Sequence, residues 1–326
     1  MTDQPIDHGM ADAPERDIDI AIIGGGPTGL TAGLYGARAR RRTVLWDGGV
    51  LGGQIATTGL VENYPGFPDG IEGFELGMAM HRQAEKFGLE TRYERAEALR
   101  RQGAYYLLDS ASGTDRARAV IVSAGADYNK LGIPGEAELT GKGVSYCATC
   151  DAAFFEGETV AVVGGGDSAL DEGLFVARYA SKVYVVHRRH ELRAARILQE
   201  RAFANPKMEF IWDTVVERVN GDDAVTSLAL RNVVSGEVSE LPVAGLFIFI
   251  GQTPNSGLLR GLVPLDAGGH AYVNLWMETA LPGLYAAGDV RIDAAKQVVS
   301  AAGDGATAAI RADQYIAHRF PADARE

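Results

Sequence analysis

The sequence predicts an α/β fold made of two Rossmann-like dinucleotide-binding domains of the three-layer ββα type, the second inserted into the first. A strand, a glycine turn, a helix and a second strand follow one another from Ile18, and the same order returns from Thr159. Further along from each copy, an apolar strand runs into a glycine, Gly125 or Gly251. Such alternation of strands and helices is typical of parallel sheets. The length of 326 residues also favours two domains.

Composition limits the classes of protein to which the chain can belong. Hydrophobic residues at 46% and charged residues at 23% are typical of a globular protein. The net charge of −12 argues against a nucleic-acid partner. The sequence has no apolar run long enough for a transmembrane helix, so we expect no membrane association. Residues 1–17 are polar and do not resemble a signal peptide, so we expect a disordered leader and a cytoplasmic location.

The first pattern has the residues of a dinucleotide fingerprint. Ile18–Ile23 is a short apolar run, as expected for a buried parallel strand. Gly24–Gly29 then has the G-x-G-x-x-G spacing, which brings the backbone close to a pyrophosphate at a helix N-terminus. The helix is predicted to run to about Arg40. The strand Thr43–Trp46 follows and ends at Asp47, where an acid can accept a hydrogen bond from a ribose hydroxyl.

The rest of the first half is less specific. Gly52-Gly53-Gln54 is consistent with a loop against a flat ligand and equally with an ordinary turn. The other predicted elements are a helix over Ile71–Phe87, short strands and turns over 89–118, a strand over Ala119–Ala124 and an interdomain linker over Asp127–Gly135.

The second pattern repeats the first with one change of charge. The strand Thr159–Val163 precedes Gly164–Ala169, a G-x-G-x-x-A form of the fingerprint. A helix to about Ala180 and a strand over Lys182–Val186 complete the unit. His187 lies 23 residues after the first fingerprint glycine, the same separation that Asp47 has in the first unit.

Arginines surround the position where the first unit has its acid. Arg188 and Arg189 follow His187, and Arg193 lies about one helical turn further on. An acid repels a ribose 2′-phosphate, whereas guanidinium groups bind it through charge-assisted hydrogen bonds. We therefore expect FAD or NAD at the first site and NADP at the second. The alternative is a solvated basic patch at a helix start.

The C-terminal third completes the repeat. Short strands and turns are predicted over 208–243, followed by a strand over Gly245–Ile250. Gly283–Val290 predicts a strand whose end places Asp289 against a ligand, plausibly ribityl hydroxyls of a flavin. Lys296–Ile316 predicts an alanine-rich helix whose N-terminal dipole could stabilise charge on a reduced flavin. The alternative for this helix is a purely packing role.

Cys147 and Cys150, in the sequence Cys-Ala-Thr-Cys-Asp, are the only cysteines. The spacing allows a redox pair, a structural disulfide or half of a zinc site. Structural disulfides are rare in the cytosol, and zinc usually needs further ligands that the sequence does not offer nearby. We therefore favour a redox pair. Asp151 is interpreted as a helix N-cap, a proton donor or acceptor, or both.

Taken together, the motifs resemble those of the low-molecular-weight, bacterial-type thioredoxin reductases, which are NADPH-dependent flavoprotein disulfide reductases. The resemblance extends over nearly the whole chain from about Ile18. The matching motifs are G-G-G-P-x-G-L at Gly24–Leu30, G-G-Q at Gly52–Gln54, E-N-Y-P-G at Glu62–Gly66, C-A-T-C-D at Cys147–Asp151, H-R-R-x-x-x-R at His187–Arg193, I-G-x-x-P-N at Ile250–Asn255 and G-x-Y-A-A-G-D-V at Gly283–Val290.

The resemblance implies two cofactor sites and three catalytic residues. The expected FAD-binding residues are Gly24, Gly26, Pro27, Thr28, Gly29, Asp47, Gly53, Gln54, Asn63, Gly288, Asp289, Lys296, Gln297 and Val298. The expected NADPH-binding residues are Gly164, Gly166, Asp167, Ser168, His187, Arg188, Arg189, Arg193 and Gly251. The expected catalytic residues are Cys147, Cys150 and Asp151, and no metal is expected.

The resemblance also implies a mechanism and an organisation. NADPH would reduce FAD, FAD would reduce the Cys147–Cys150 disulfide, and the dithiol would reduce thioredoxin by exchange. Cys150 would be the sulfur nearer the flavin. The FAD domain would comprise residues 18–127 and 254–326, and the NADPH domain residues 128–253. The inserted domain would rotate about linkers near 125–135 and 245–256, and the chain would form a homodimer.

Departures from the family pattern and alternative functions remain at this point. Lys296 stands where the family usually has Arg, Ala152 where it has Gly, and Asp171 where it has Glu.

The alternative functions are a flavin-dependent dithiol oxidase, a reductase with another electron donor such as ferredoxin or NADH, a reductase with another acceptor such as glutaredoxin or a peroxiredoxin partner, and a nucleotide-binding module without turnover. The arginines at 188, 189 and 193 argue against the first two, and the cysteine pair argues against the last.

Overall fold

The computed structural model describes residues 17–57, 60–61 and 63–321. Within them the chain forms two compact units. The first comprises the described residues of Met1–Thr57, Phe74–Gly125 and Asn255–Glu326, and the second those of Thr58–Gly73 and Ala126–Pro254. The leader expected over residues 1–17 lies, except for Asp17, outside the described residues, as does Glu62 of the E-N-Y-P-G motif.

The strands are named in chain order. They are β1 (Ile18–Ile23), β2 (Thr43–Trp46), β3 (Leu60–Val61), β4 (Ile71–Glu72), β5 (Glu90–Arg92), β6 (Ala96–Gln102), β7 (Tyr105–Ser110), β8 (Gly113–Val122), β9 (Ala126–Tyr128), β10 (Val144–Ser145), β11 (Thr159–Val163), β12 (Lys182–Val186), β13 (Met208–Ile211), β14 (Thr214–Asn220), β15 (Ser227–Asn232), β16 (Val238–Pro242), β17 (Gly245–Ile248), β18 (Gln252–Pro254) and β19 (Leu284–Ala286). The α-helices are α1 (Pro27–Arg38), α2 (Gly73–Glu85), α3 (Ala148–Asp151), α4 (Asp167–Val176), α5 (Arg196–Ala204) and α6 (Val298–Arg319).

The first unit is built on a mixed sheet in the order β5-β2-β1-β8-β7-β6, with β19 also paired to β8. β1 pairs in parallel with β2 and β8, and β8 pairs in parallel with β19 and antiparallel with β7. β1 is apolar except for Asp19, whose carboxylate accepts a hydrogen bond from Arg42 N–H at 2.9 Å. Its other residues are buried because both faces of the strand are covered. Ile20 and Ile22 pack towards one core with α1 and α6, whereas Ala21 and Ile23 pack towards a second core with β6 and β7.

The second unit repeats this plan with separate sheets. A parallel sheet has the order β10-β17-β11-β12-β13, and β14, β15 and β16 form an antiparallel meander. Val160 and Val162 of β11 face a core that includes residues of α4, whereas Ala161 and Val163 face a core shared with the meander. Helices, parallel sheet and meander are thus the three layers of the predicted fold class, which is confirmed.

The segments predicted as linkers have regular structure of their own. β9 pairs antiparallel with β18, so that Ala126 lies opposite Pro254. Asn129 strengthens this ribbon, because its side chain accepts a hydrogen bond from Thr253 Oγ1 at 2.8 Å and its backbone N–H donates to Gly251 O at 3.1 Å. The two chain segments that connect the units are therefore held to each other by a short ladder.

Some predicted boundaries were wrong. The predicted helix over Ile71–Phe87 begins only at Gly73, because Ile71 and Glu72 pair with β3. The strand predicted over Ala119–Ala124 is the buried end of β8, which begins at Gly113 and ends at Val122. The helix predicted from Lys296 begins at Val298, because Lys296 has a positive φ of 56° and Gln297 is the N-cap.

None of the helices in the described part of the chain is both long and apolar enough to cross a membrane.

We predict that the contact between α1 and α6 tolerates no side chain at Gly305. A Cβ at Gly305 would lie 2.1 Å from Thr28 O, whereas one at Gly303, on the same helix, would meet no atom within 4 Å. Gly305→Ala should therefore lower the free energy of unfolding by about 1–3 kcal/mol through overpacking. Gly303→Ala should raise it by up to about 1 kcal/mol, because alanine has the higher helix propensity. Urea unfolding of both variants checks this, and equal stabilities would contradict the close packing.

Candidate redox centre and nucleotide sites

Cys147 and Cys150 are joined by a disulfide in the second unit. Their Cα atoms are 5.3 Å apart, a separation typical of disulfides. Cys147 is the N-cap of the single-turn helix α3, and Cys150 lies within that helix. Both residues are partly exposed. The pair is therefore assembled as a redox couple in its oxidised form.

Two side chains from neighbouring elements hold the cysteine turn. Ser145, at the end of β10, donates a hydrogen bond to Asp151 Oδ2 at 2.6 Å and accepts one from Cys147 N–H at 3.1 Å. Glu172, on α4, accepts a hydrogen bond from Ala148 N–H at 3.2 Å. The turn is thus tied both to the sheet and to the helix that follows the second fingerprint.

Asp151 keeps its proton to a higher pH than an exposed aspartate. Burial raises its pKa, and the hydrogen bond from Ser145 opposes that rise because it stabilises the ionised form. An acid with a raised pKa beside a disulfide can supply a proton to a departing thiolate. The raised pKa of Asp151 is therefore compatible with the predicted proton-transfer role, which stays a prediction.

The first fingerprint encloses the side chain of Asp47. Asp47 Oδ2 accepts a hydrogen bond from Gly25 N–H at 2.5 Å, and Oδ1 accepts one from Gly49 N–H at 2.6 Å. A Cβ at Gly25 would lie 2.6 Å from Asp47 Oδ2, so the glycine makes room for the acid. Gly24 has a positive φ of 105°, and a Cβ at Gly26 would meet no atom within 4 Å. The turn thus leaves open space at the N-terminus of α1, where a phosphate group fits.

Several predicted FAD-site residues converge on this turn. A Cβ at Gly53 would lie 3.2 Å from Gly26 Cα, and one at Gly288 would lie 2.3 Å from Oγ1 of buried Thr28. The remaining positions are on the following elements: Pro27 and Gly29 in α1, Gln54 in a 3-10 turn over Gly53–Thr57, and Gln297 and Val298 at the start of α6. Asn63 is not part of this group, because it lies in Thr58–Gly73 of the second unit.

Asp289 is a desolvated acid whose carboxylate has no hydrogen-bond donor among the described residues. Burial raises its pKa, and the nearby charge of Lys296 opposes that rise. A partly buried carboxylate normally finds a donor, so one that lacks it suits the hydroxyl groups of a ligand. The chemistry of Asp289 therefore fits the predicted flavin site, and its contact with a flavin stays a prediction.

Two residues that the sequence analysis missed hold Asp289 in place. Asp304, a buried acid on α6, accepts hydrogen bonds from Gly288 N–H at 3.0 Å and from Arg291 Nε at 2.6 Å. These bonds fix the 3-10 turn Gly288–Val290, which carries Asp289. An acid between two glycines in an alanine-rich helix was a signal available in the sequence.

The second fingerprint has the same plan with an imidazole in place of the acid. A Cβ at Gly165 would lie 2.2–2.6 Å from the ring atoms of His187. Gly164 has a positive φ of 152°, and a Cβ at Gly166 would meet no atom within 4 Å. The N-terminus of α4 is therefore open in the same way as that of α1. Ser168 is exposed in its first turn.

The arginine loop, residues 188–195, is held against the second fingerprint by its backbone. Arg193 N–H donates to Gly165 O at 2.7 Å, and Ala195 N–H donates to Asp167 Oδ1 at 2.6 Å. Arg188, Arg189 and Arg193 are exposed, and no carboxylate in the described part of the chain forms an ion pair with them. Their backbone is thus ordered while their charges remain available to an anion.

His187 is buried between the glycine turn and the arginines. Burial lowers its pKa, and the charges of Arg189, Arg193 and Arg188 lower it further. Its Nε2 lies 3.1 Å from Glu191 O, to which a neutral imidazole can donate. His187 therefore separates the glycine turn from the arginine loop without adding charge, and all three guanidinium groups are near enough to lower its pKa.

Gly251, the last predicted NADP-site residue, follows β17. It has a positive φ of 100°, and a Cβ there would lie 3.2 Å from Asn129 Nδ2. Its structural role is in the β9–β18 ribbon, and nothing in the described residues joins it to the second fingerprint.

Comparison with known proteins shows the family of the chain. The sequence model of the family "Pyridine nucleotide-disulphide oxidoreductase" matches residues 18–305. A thioredoxin reductase of Peptoclostridium litorale is 46% identical, with 94% of this chain and 99% of that protein covered. A thioredoxin reductase of Bacillus subtilis strain 168 is 45% identical, with 93% and 96% covered. The crystal structure of thioredoxin reductase from Streptococcus pyogenes MGAS5005 has a TM-score of 0.89 at 42% identity, covering 92% of this chain and 98% of that one. This protein therefore belongs to the pyridine nucleotide-disulphide oxidoreductase family, and within it to the thioredoxin reductases.

Proposed function

We propose that this protein is an NADPH-dependent thioredoxin-disulfide reductase that carries FAD. The observation that supports this most directly is the Cys147–Cys150 disulfide, which lies beside the protonatable Asp151. Glu172 links the cysteine turn to the helix of the arginine-bearing fingerprint. The family membership supports the same reaction class.

The first unit holds FAD and the second holds NADPH. The first fingerprint fits FAD because Asp47 is oriented by two N–H groups and Asp289 has an unused carboxylate. The second fits NADPH because the arginine loop offers charges without ion-pair partners among the described residues. The domain boundaries that we propose are 18–127 with 254–326 for FAD and 128–253 for NADPH. Asn63 and Gly251 remain proposed contacts of FAD and NADPH, respectively.

When bound, the two cofactors supply the two electrons that reduce a disulfide. The chain's own residues then perform the exchange. The Cys147 thiolate attacks one sulfur of the thioredoxin disulfide, so that a mixed disulfide forms and a thioredoxin thiolate leaves. Cys150 then attacks Cys147 Sγ, which re-forms the Cys147–Cys150 bond and releases the second thiolate. Asp151 donates a proton at this step.

The remaining organisation is also proposed. The inserted unit rotates about the β9–β18 ribbon, because the same cysteine pair must meet first an internal electron donor and then a separate protein. The chain acts as a cytoplasmic homodimer without nucleic-acid or membrane contacts. The ribbon supports this account, because hinges are usually short segments at element ends.

The proposed reaction is tested by following NADPH oxidation with thioredoxin as the acceptor. We expect turnover with the wild-type protein and none with Cys147→Ser or Cys150→Ser, because each variant lacks one sulfur of the disulfide. NADPH oxidation that depends on thioredoxin in either variant would contradict the exchange mechanism. Activity with a small dithiol donor and no activity with thioredoxin would favour the oxidase alternative.

We predict that the double change Arg188→Ala with Arg189→Ala lowers selectivity for NADPH. Charge-assisted hydrogen bonds to phosphate contribute about 1.5–3 kcal/mol each, so the loss of two should lower kcat/KM for NADPH by about 10²–10⁴-fold. The value for NADH, which has no 2′-phosphate, should change by less than about threefold.

Arg201→Ala is the matched control for this variant. Arg201 is an exposed arginine on α5 of the same unit and lies outside the arginine loop. Arg201→Ala should leave the ratio of kcat/KM for NADPH to kcat/KM for NADH unchanged. An equal fall in kcat/KM for NADPH and for NADH in the double variant would refute the assignment of Arg188 and Arg189 to the 2′-phosphate.

We predict that Asp289→Ala weakens FAD retention. Loss of a charged acceptor for a flavin hydroxyl costs about 1.5–3 kcal/mol, which corresponds to a roughly 10–100-fold rise in the Kd for FAD. Asp293→Asn is the control, because Asp293 is an exposed acid in the nearby loop and asparagine tolerates its positive φ of 52°. Titration of the apoprotein with FAD measures the Kd of each variant. Equal Kd values for Asp289→Ala and Asp293→Asn would contradict a contact between Asp289 and the flavin.

A further inference from the structure

Ser145 occupies a position between the two catalytic groups that its sequence context does not suggest. It ends β10 and is only 4% exposed. Its Oγ lies 2.6 Å from Asp151 Oδ2 and 3.2 Å from Cys147 O, and it accepts a hydrogen bond from Cys147 N–H at 3.1 Å. A buried hydroxyl is thus in contact with both the acid and the backbone of the cysteine turn.

The hydroxyl has one hydrogen and two acceptors within reach. When Asp151 is ionised, Ser145 donates to Oδ2, which is the shorter contact. When Asp151 is protonated, its own O–H can donate to Ser145 Oγ, and the serine hydrogen can turn to Cys147 O. Cys147 N–H donates to the same oxygen in both arrangements. Ser145 therefore has two hydrogen-bond patterns, each with an acceptor for its hydrogen, and the two patterns differ by one proton on Asp151.

The other elements around the turn contribute few charges. From α4, Glu172 accepts a hydrogen bond from Ala148 N–H of the turn at 3.2 Å. The 3-10 turn Ala152–Phe155 and β10 itself contain no charged residue. Desolvation and the Ser145 hydrogen bond are the causes that act on the pKa of Asp151. Ser145 is thus the side chain whose hydrogen bond depends most directly on the charge of Asp151.

We propose that Ser145 is a positioning residue that couples the protonation state of Asp151 to the backbone of Cys147. Donation to the ionised acid leaves Cys147 O without the serine hydrogen bond, and protonation of the acid restores it. The inference rests on the proposed function for the significance of the cysteine pair. Its chemistry, however, concerns only hydrogen bonds within the second unit.

The proposal is tested on the reduced protein by the pH dependence of thiol alkylation. The protein is reduced with dithiothreitol, and alkylation of Cys147 by iodoacetamide is followed by mass spectrometry. The variants are Ser145→Ala, Ser145→Thr, Asp151→Asn and the double variant Ser145→Ala with Asp151→Asn. Ser145→Ala removes a hydrogen-bond donor to the ionised Asp151 carboxylate. The inflection that Asp151 causes in the plot of alkylation rate against pH should therefore move upward by about one pH unit.

Two comparisons separate coupling from a purely structural role. Ser145→Thr, which keeps the hydroxyl, should restore the wild-type inflection. In the Asp151→Asn background, Ser145→Ala should cause no further pH shift. A uniform loss of alkylation rate at every pH, or an equal effect with and without Asp151, would overturn the proposal.

A second measurement does not need a folded Ser145→Ala variant. Because the sequence has only two cysteines, cysteine labelled with ¹³C at its carbonyl gives few signals. The Cys147 carbonyl resonance should shift with Asp151 titration in the wild type and not in Asp151→Asn. A pH-independent resonance in the wild type would refute the coupling. Neither measurement uses NADPH or thioredoxin, so failure of the proposed function would be seen separately, in turnover.

Discussion

The arrangement of both nucleotide sites depends on one packing constraint, the absence of a side chain at Gly25 and at Gly165, the residues that follow the first glycine of each fingerprint. In the first unit the carboxylate of Asp47 occupies the place that a Cβ at Gly25 would need. In the second unit the ring of His187 lies equally close to Gly165. Each side chain comes from the end of the second parallel strand, so the constraint ties the glycine turn to that strand. It also fixes the separation of 23 residues that both units share.

The same scaffold carries an acid, Asp47, in the first unit and is followed by arginines in the second unit. The two sites therefore differ in the charge that they present to a nucleotide. An acid held by two backbone N–H groups suits ribose hydroxyls and excludes a phosphate on them. A neutral imidazole leaves the same place without charge, and the exposed arginines of the following loop have no ion-pair partners among the described residues. The cysteine turn shares the second unit with these arginines and is joined to α4 through Glu172. The proposed NADPH site and the cysteine pair therefore belong to the same unit.

The sequence predicted the parallel strands well and the polar contacts poorly. β1, β2, β11 and β12 have the predicted bounds, because strands covered on both faces consist mostly of apolar residues, and the charged Asp19 and Lys182 lie only near the strand starts. The predicted helix starts were less accurate. The N-terminus of α6 is set by the N-cap Gln297 and by the positive φ of Lys296, which the composition of the segment does not reveal. Ser145 and Asp304 were missed because their partners are brought together only by the fold. Nothing in the local sequence of Ser145 indicates that its hydroxyl reaches Asp151.

The central claim is that electrons enter at the arginine-bearing fingerprint and leave through Cys147 and Cys150. Anaerobic titration of the FAD-loaded protein tests it most directly, with flavin absorbance as the signal. The account predicts that NADPH bleaches the long-wavelength flavin band and that oxidised thioredoxin then restores it. It also predicts that bleaching occurs but restoration fails when both cysteines are serine. A flavin that NADPH does not bleach, or one that thioredoxin reoxidises without the cysteines, would contradict the account.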